Sequence, residues 1–582
     1  MDASNPITAA VFSAFLKCST KAHLLAIGEP APDSFFANIE ARISSMYRTA
    51  AERRLRIGAN AIKSLAFSQL CRGVDNEAVT QHVDCDTAVY DLSLPAGKSE
   101  DRRSRQISPF GTLVPMLFLP SDKPDISDNL RLCFGALALS QATGILADTG
   151  TLIYGEGQRR KTVKIGDHLA RTRQVIEAIG ATCCGREAPP LVLNRHCAVC
   201  DFQPRCRSLA VERDDLSLLS AMTGKERAKC NAKGISTVTQ LSYGYRPRRR
   251  KRTGPSAEHS AKSAKRATAD AKNDHKLKAL AIKKSQIHVV GKPLLKIDGV
   301  PTFFDVEGMP DRNFYYLVGL RFERDGNQVE RSFWADGLGD ERVIWEDCLR
   351  ALKEIGNPQI VSYGAYDARF LKQMKERYVS VPGDVEFVDR LIESSVNLVG
   401  CIYGRIYFPT FSNSLKEVAR YLGFEWAWAR ASGAAPPLLR RAWELGADDG
   451  LKRQLIGYNM DDCRAAATVT GALMRICGGG PSGMNTVDVG SLDVGFQHNW
   501  GRLDYALPEF EKINNAAYWD YQRDKIYIRS NPSLRGAAKR KRGIRHRCLP
   551  VNTTVGPSRP RNCPACDSTR ISMNGRYSRT VI

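Results

Sequence analysis

The hexapeptide Phe303-Phe304-Asp305-Val306-Glu307-Gly308 constrains the fold of this chain more than any other segment. Side chains alternate across a strand with period two, so an apolar strand carrying Asp-x-Glu presents both carboxylates on one face. Asp367, in Tyr363-Gly-Ala-Tyr-Asp367, and Tyr458 and Asp462, in Tyr458-Asn-Met-Asp-Asp462, complete the constellation. Asp305, Glu307, Asp367 and Asp462 can form a cage of hard oxygen ligands for Mg²⁺ or Mn²⁺, ions that keep several waters and bind substrate phosphates. Two-metal phosphodiester hydrolysis needs such a cage.

The chain has 582 residues, too many for one core, so about three or four modules are expected. No stretch approaches the roughly 18 uninterrupted apolar residues of a membrane span. The N-terminus lacks a basic start followed by an apolar stretch and a cleavage site, so export is not expected and a cytoplasmic location is. Seventeen cysteines in a large intracellular chain favour metal or redox chemistry over a disulfide framework. The net charge of +23 points to a polyanion. Residues 244–284 hold 14 Lys/Arg against 3 Asp/Glu, with Arg248, Arg249, Arg250, Lys251 and Arg252 in one run. Such a run is either solvated surface or, as favoured here, a nucleic-acid contact, because Lys/Arg–phosphate contacts dominate non-specific affinity.

Organisation follows from composition and patterning. Residues 1–210 mix helical spacing (Asp128–Gln141) with strand-like runs (Leu113–Leu119, Thr151–Tyr154) and read as an α/β domain. Residues 211–243 read as a helical connector, where Gly234-Ile-Ser-Thr suits either the turn of a helix-hairpin-helix or a plain helical link. Residues 244–286 read as a basic linker with few large apolar side chains. Strand–helix alternation over 287–477 indicates a second α/β domain. Residues 478–582 form a Pro/Arg-rich tail.

The order Asp305-x-Glu307, Asp367 sixty residues later and Tyr458-x-x-x-Asp462 resembles the DEDD exonuclease superfamily on an RNase H-like fold, and within it the YprB-type domain. Phe314–Leu320, Val361–Asp367 and Pro409–Lys416 support the resemblance. Gly457 stands where one subclass carries histidine, whereas Tyr458 fills the tyrosine position of the other. The resemblance implies that Asp305, Glu307, Asp367 and Asp462 hold two metals. It implies that Tyr458 orients or helps deprotonate the attacking water. Asp389, in Phe387-Val-Asp389, follows an expected strand and reads as structural or supporting.

Cys18, together with Cys197-x-x-Cys200-x5-Cys206, resembles the iron–sulfur nucleases of the PD-(D/E)XK class, the RecB-like enzymes. In them four thiolates hold a [4Fe–4S] cluster that staples the domain ends together; a structural zinc is the rival occupant. The resemblance also implies a helicase as a partner. The chain departs from that class where Glu/Asp-x-Lys is expected: Val114–Leu119 holds neither acid nor lysine. Asp86 and Asp91 could be remnants of the upstream acid. The N-terminal domain is therefore expected to be a degenerate nuclease kept for binding or architecture.

Cys563-Pro-Ala-Cys566 resembles half of a zinc ribbon. Either Cys548 and a histidine such as His546 complete an irregular Zn²⁺ site, or the sequence is truncated. The expectation is a metal-dependent 3′–5′ exonuclease acting on DNA or RNA. The alternatives are a nucleic-acid-binding pseudo-nuclease and a mobile-element protein; the Asp-x-Glu plus Tyr-x3-Asp set argues against the latter, whose transposases generally use three acids.

Overall fold

The computed structural model describes residues 6–32, 35–55, 64–66, 81–90, 113–183, 188–245, 274–428, 433–446, 448–478 and 483–492, with the backbone of short strands at 561–562, 569–573 and 576–581. The chain divides into two compact units. The first comprises Met1–Leu209, Ile297–Asn397 and Phe424–Ala467; the second comprises Ala210–Lys296, Leu398–Gly423 and Thr468–Ile582.

The first unit begins with β1 (Ile7–Thr8) and contains β2 (Ser64–Ala66), β3 (Gln81–Asp84), β4 (Val89–Tyr90), β5 (Leu113–Leu119), β6 (Thr149–Tyr154) and β7 (Arg159–Lys164). Five of these form a sheet ordered β2-β3-β5-β6-β7, parallel except for the antiparallel β6–β7 pair. The apolar run of β5 is buried along Pro115–Leu119, as a strand covered on both faces requires. β7 is charged and exposed except at Val163, which suits a sheet edge. The helix Phe35–Leu55 lays Tyr47, Ala51 and Leu55 over Met116, Phe118 and Ile153. The helix Ile126–Thr143, started by an Asp125–Asp128 capping box, packs against Leu117, Leu119 and Leu152. The outcome is a helix–sheet–helix sandwich, as the patterning implies.

In the same unit a second sheet follows the short strand β8 (Ile287–Val289), which belongs to the other unit. Its strands are β9 (Val300–Met309), β10 (Phe314–Arg324), β11 (Asn327–Trp334), β12 (Pro358–Ser362) and β13 (Val396–Asn397), in the order β11-β10-β9-β12-β13. β9–β10 and β10–β11 are antiparallel, whereas β9–β12 and β12–β13 are parallel. β9 is therefore the middle strand. Phe304, Val306 and Met309 from it join Trp345, Leu349, Phe370 and Met374 in one core. Arg440, with no exposed side-chain area, lies 4.4–4.8 Å from the rings of Tyr316, Trp334 and Trp443 and donates to the carbonyls of Ala335 and Asp336. Cation–π attraction and backbone acceptors offset the desolvation of its charge.

Both sheets of this unit are tied together by charge and packing. Arg312 donates to Asp122 and Glu444, each at 2.8 Å, and Asp311, which pairs with Arg441, accepts from Asp122 N at 3.2 Å. Phe35 and Ile39, from the first turns of the Phe35–Leu55 helix, pack against the core around β9.

The second unit holds β14 (Ile406–Tyr407) and β15 (Thr486–Asp488) on either side of β8. Gly234 (φ +77°) ends the turn between the helices Gly224–Asn231 and Val238–Tyr243. The end of the basic stretch, expected as linker, is instead the helix His275–Lys284, capped by Asp274. Its Leu277 and Ala281 pack with Tyr407, which an i, i+4 apolar pair among lysines suffices to do. Lys278 is buried and donates to Phe408 O (2.9 Å), Thr410 Oγ1 (3.0 Å) and Asn413 Oδ1 (2.8 Å). It gathers the Phe408–Asn413 loop around one ammonium. Asp389 also departs from expectation: Pro382–Ser394 is a helix opened by Pro382, and Asp389 pairs with Lys375 at 2.6 Å.

Candidate metal centre

Three elements bring the acids together. β9 places Phe304 and Val306 in the core, leaving Asp305 and Glu307 on its opposite face. Asp367 lies in the first turn of the helix Tyr366–Tyr378, directly after β12, and is 4% exposed. Tyr458 and Asp462 stand four residues apart on the helix Asp449–Cys477 and so share a face. Asp305, Glu307 and Asp462 each bring a carboxylate oxygen within 4.8 Å of the others. Asp367 lies close enough to raise the pKa of Asp305 and to be raised itself by Asp462.

The electrostatics follow from that crowding. Burial, then Asp462, Glu307 and Asp367, push Asp305 well above the usual carboxylate range, while a hydrogen bond from Asn459 pulls the other way. Burial lifts Asp367 to about 7 against the pull of its own and Val306's backbone N–H groups. Tyr458, 3% exposed and hydrogen-bonded to Asp462, is raised well above its ordinary value by burial and then by Asp462, Glu307 and Asp305. Such mutual repulsion is relieved by a divalent cation, and an all-oxygen donor set fits Mg²⁺ or Mn²⁺.

The groups that position these side chains carry no signal in the sequence. Asn459 Nδ2 donates to Asp305 Oδ2 at 2.6 Å and to Asp305 O at 3.0 Å. Trp426 Nε1 donates to Asp462 Oδ1 at 2.6 Å, and Ala427 N–H to Asp461 Oδ2 at 2.9 Å. Trp428, half-buried, meets the Tyr458 ring edge-on at 6.0 Å. Gly319 faces Asp305 across β9–β10, where a Cβ would run into Asn459 Oδ1 and come 3.2 Å from Cys463 Sγ. Only glycine lets that helix come so close to the sheet.

The N-terminal sheet presents a different picture. Asp84, 5% exposed at the end of β3, pairs with Arg48 at 3.0 Å, and Asp86 pairs with Arg48 and Arg131. Burial, then Asp86, raises Asp84 to about 6. Guanidinium groups thus balance these acids, and β5 beside them offers neither acid nor lysine. Asp91 lies outside the described residues.

Cys18, Cys197, Cys200 and Cys206 line one pocket, together with Lys21 and His196. Asn194 Nδ2 donates to Lys17 O at 3.2 Å, joining the late cysteine loop to the turn at Cys18. Burial raises Cys197 and Cys200, and Cys206 to about 11, with the neighbouring thiols adding to each. Burial, then Lys21 and Lys17, lowers His196 to about 4, so it stays neutral. Arg248, Arg249, Arg250, Lys251 and Arg252, and Cys563 and Cys566 of the tail, lie outside the described residues. Among the described residues, no helix is long and apolar enough to cross a membrane.

Residues 302–474 match RNase_H_2, a family model of the RNase H superfamily. The matched segment includes all five of Asp305, Glu307, Asp367, Tyr458 and Asp462. It is an RNase H-like domain, with an acidic cluster able to hold a divalent metal at its centre. No curated protein and no solved structure matches the chain.

Proposed function

We propose that this chain is a metal-dependent nuclease that removes nucleotides from 3′ ends, with Tyr458 as the tyrosine of a DEDD-type site. The observation that carries the reading is the approach of Asp305, Glu307 and Asp462 to within 4.8 Å inside an RNase H-like domain. Asp305, Glu307, Asp367 and Asp462 are the residues that would hold the metals. A pair of Mg²⁺ or Mn²⁺ ions supplies Lewis acidity to the attacking and leaving oxygens of an in-line displacement. Tyr458, hydrogen-bonded to Asp462, would orient the attacking water or help deprotonate it. Asn459 and Trp426 fix the rotamers of Asp305 and Asp462, which preorganises the cage.

The N-terminal sheet serves as architecture in this reading, because Arg48 and Arg131 already neutralise its acids. The four cysteines take a [4Fe–4S] cluster. They line one pocket, and a structural zinc is the rival occupant. The basic charge serves phosphate contact.

The test uses 5′- and 3′-labelled single-stranded DNA and RNA with Mn²⁺. Wild type should shorten 5′-labelled strands stepwise, and Asp305→Ala and Asp462→Asn should not. Equal degradation by wild type and Asp305→Ala would end the enzymatic reading, and loss of label from the 5′ end first would reverse the polarity. Anaerobically purified protein should be brown; colourless protein with stoichiometric zinc would refute the cluster.

A further inference from the structure

The late cysteine loop and the candidate catalytic tyrosine are joined by an unbroken run of contacts within one compact unit. Asp201 lies between Cys200 and Cys206 and is 4% exposed. Its neighbour Phe202 packs with Leu24, Cys200 and Cys206, so the thiol loop sets where Asp201 points. Asp201 Oδ1 accepts from Phe36 N (3.1 Å) and Ala37 N (3.4 Å), the first turn of the helix Phe35–Leu55. A side-chain acceptor there satisfies N–H groups that have no partner inside the helix. Phe35 in that same turn lies 6.0 Å from Trp428, and Trp428 lies 6.0 Å from Tyr458 at 81°. On its other side Trp428 follows Ala427 and Trp426, which are held to Asp461 and Asp462.

We infer that the cysteine loop aligns Tyr458: Asp201, Phe35 and Trp428 are positioning residues, through which the state of the four thiols is read at the metal centre. This rests on the nuclease reading above. It gives the N-terminal sheet a task that needs no catalytic residues of its own. The first turns of the Phe35–Leu55 helix meet both the cysteine loop and the RNase H-like core, while its later turns are seated on the N-terminal sheet through Tyr47, Ala51 and Leu55. Coupling of this kind is carried by packed side chains and rigid elements. Its effect falls on the geometry of the water-orienting hydroxyl and spares substrate affinity.

The experiment compares full-length wild type with Asp201→Ala, Asp201→Asn, Phe35→Leu and Trp428→Phe, measuring iron and zinc per chain, tryptophan emission, and kcat and KM with Mn²⁺ and labelled single strands. Asp201→Ala and Phe35→Leu should lower kcat about tenfold with KM unchanged, because alignment and not binding is lost. Both should shift the emission component that Trp428→Phe removes, at wild-type iron or zinc content. Asp201→Asn keeps an acceptor oxygen and should restore both signals. Wild-type kcat and emission in folded Phe35→Leu would overturn the inference, as would a kcat loss in Asp201→Ala that tracks lost metal content. Should wild type show no Mn²⁺-dependent hydrolysis, the nuclease reading fails by itself, while the emission shift still tests the link.

Discussion

Asn459→Ala removes both hydrogen bonds from the Asn459 amide to Asp305, and the one to the carboxylate bears on metal binding. Asn459 Nδ2 holds Asp305 Oδ2 at 2.6 Å, and this bond opposes burial and three neighbouring acids, all of which favour the protonated form. A hydrogen bond to a charged group contributes about 1.5–3 kcal/mol. At 1.4 kcal/mol per decade, its loss should weaken Mn²⁺ binding by about 10- to 150-fold near neutral pH. The sign with pH is fixed. A metal ligand must be deprotonated, and without Asn459 the folded-state pKa of Asp305 rises further, so protons compete more strongly. The deficit should therefore be largest in mild acid and shrink as pH climbs above the raised pKa of Asp305. Calorimetric or spin-resonance titration of Mn²⁺ between pH 6 and 9 measures it. Affinity within twofold of wild type at every pH, with Asp305→Asn abolishing binding, would refute the role given to Asn459.

Gly319→Ala forces a methyl group against Asn459 and Cys463, and should destabilise the fold by about 1–3 kcal/mol in denaturant titration, with a parallel loss of Mn²⁺ affinity. Burial lowers the Lys278 pKa to about 7 in the folded state, against the ordinary 10.5 of an unfolded chain. The unfolded chain thus binds the extra proton between those values, so stability measured relative to Lys278→Met should rise from pH 7 towards pH 10. Arg48→Met leaves the buried Asp84 without its cation and should cost about 3 kcal/mol at pH 7. The loss should be smaller at pH 5, below the raised folded pKa of about 6, where Asp84 takes up a proton; urea melts at the two pH values decide it.

What the sequence makes legible depends on how an interaction is encoded. Period two in Phe303–Gly308 and the four-residue step from Tyr458 to Asp462 are properties of a strand and a helix, so the faces they share can be read before any fold is known. Asn459 and Trp426 act across separate elements, 154 and 36 residues from their partners, and no local period marks them. Asp389 misleads because Phe387-Val388 is apolar in either state; Pro382 in the first turn and the buried pair Val388 and Leu391 decide for helix. Lys278 misleads for a different reason. A lysine in a basic run reads as solvated, yet this one is buried by the acceptors of a loop 130 residues away. The structure brings Cys197, Cys200 and Cys206 to one pocket, as their spacing suggests, but nothing in that spacing reveals that Asp201 among them caps a distant helix.

Assembly of the first unit from Met1–Leu209, Ile297–Asn397 and Phe424–Ala467 has a consequence during synthesis. Asp305 and Asn459 are 154 residues apart, and at about 5–20 residues per second the ribosome takes roughly 8 to 30 s to make the stretch between them. Throughout that interval β9 is complete while the helix that brings Tyr458, Asn459 and Asp462 does not yet exist. A nascent chain, tethered beside messenger and ribosomal RNA with its basic segment already emerged, thus holds an unfinished cage. The carboxylates of the cluster therefore cannot gather before Asp462 has been made, however early β9 is complete.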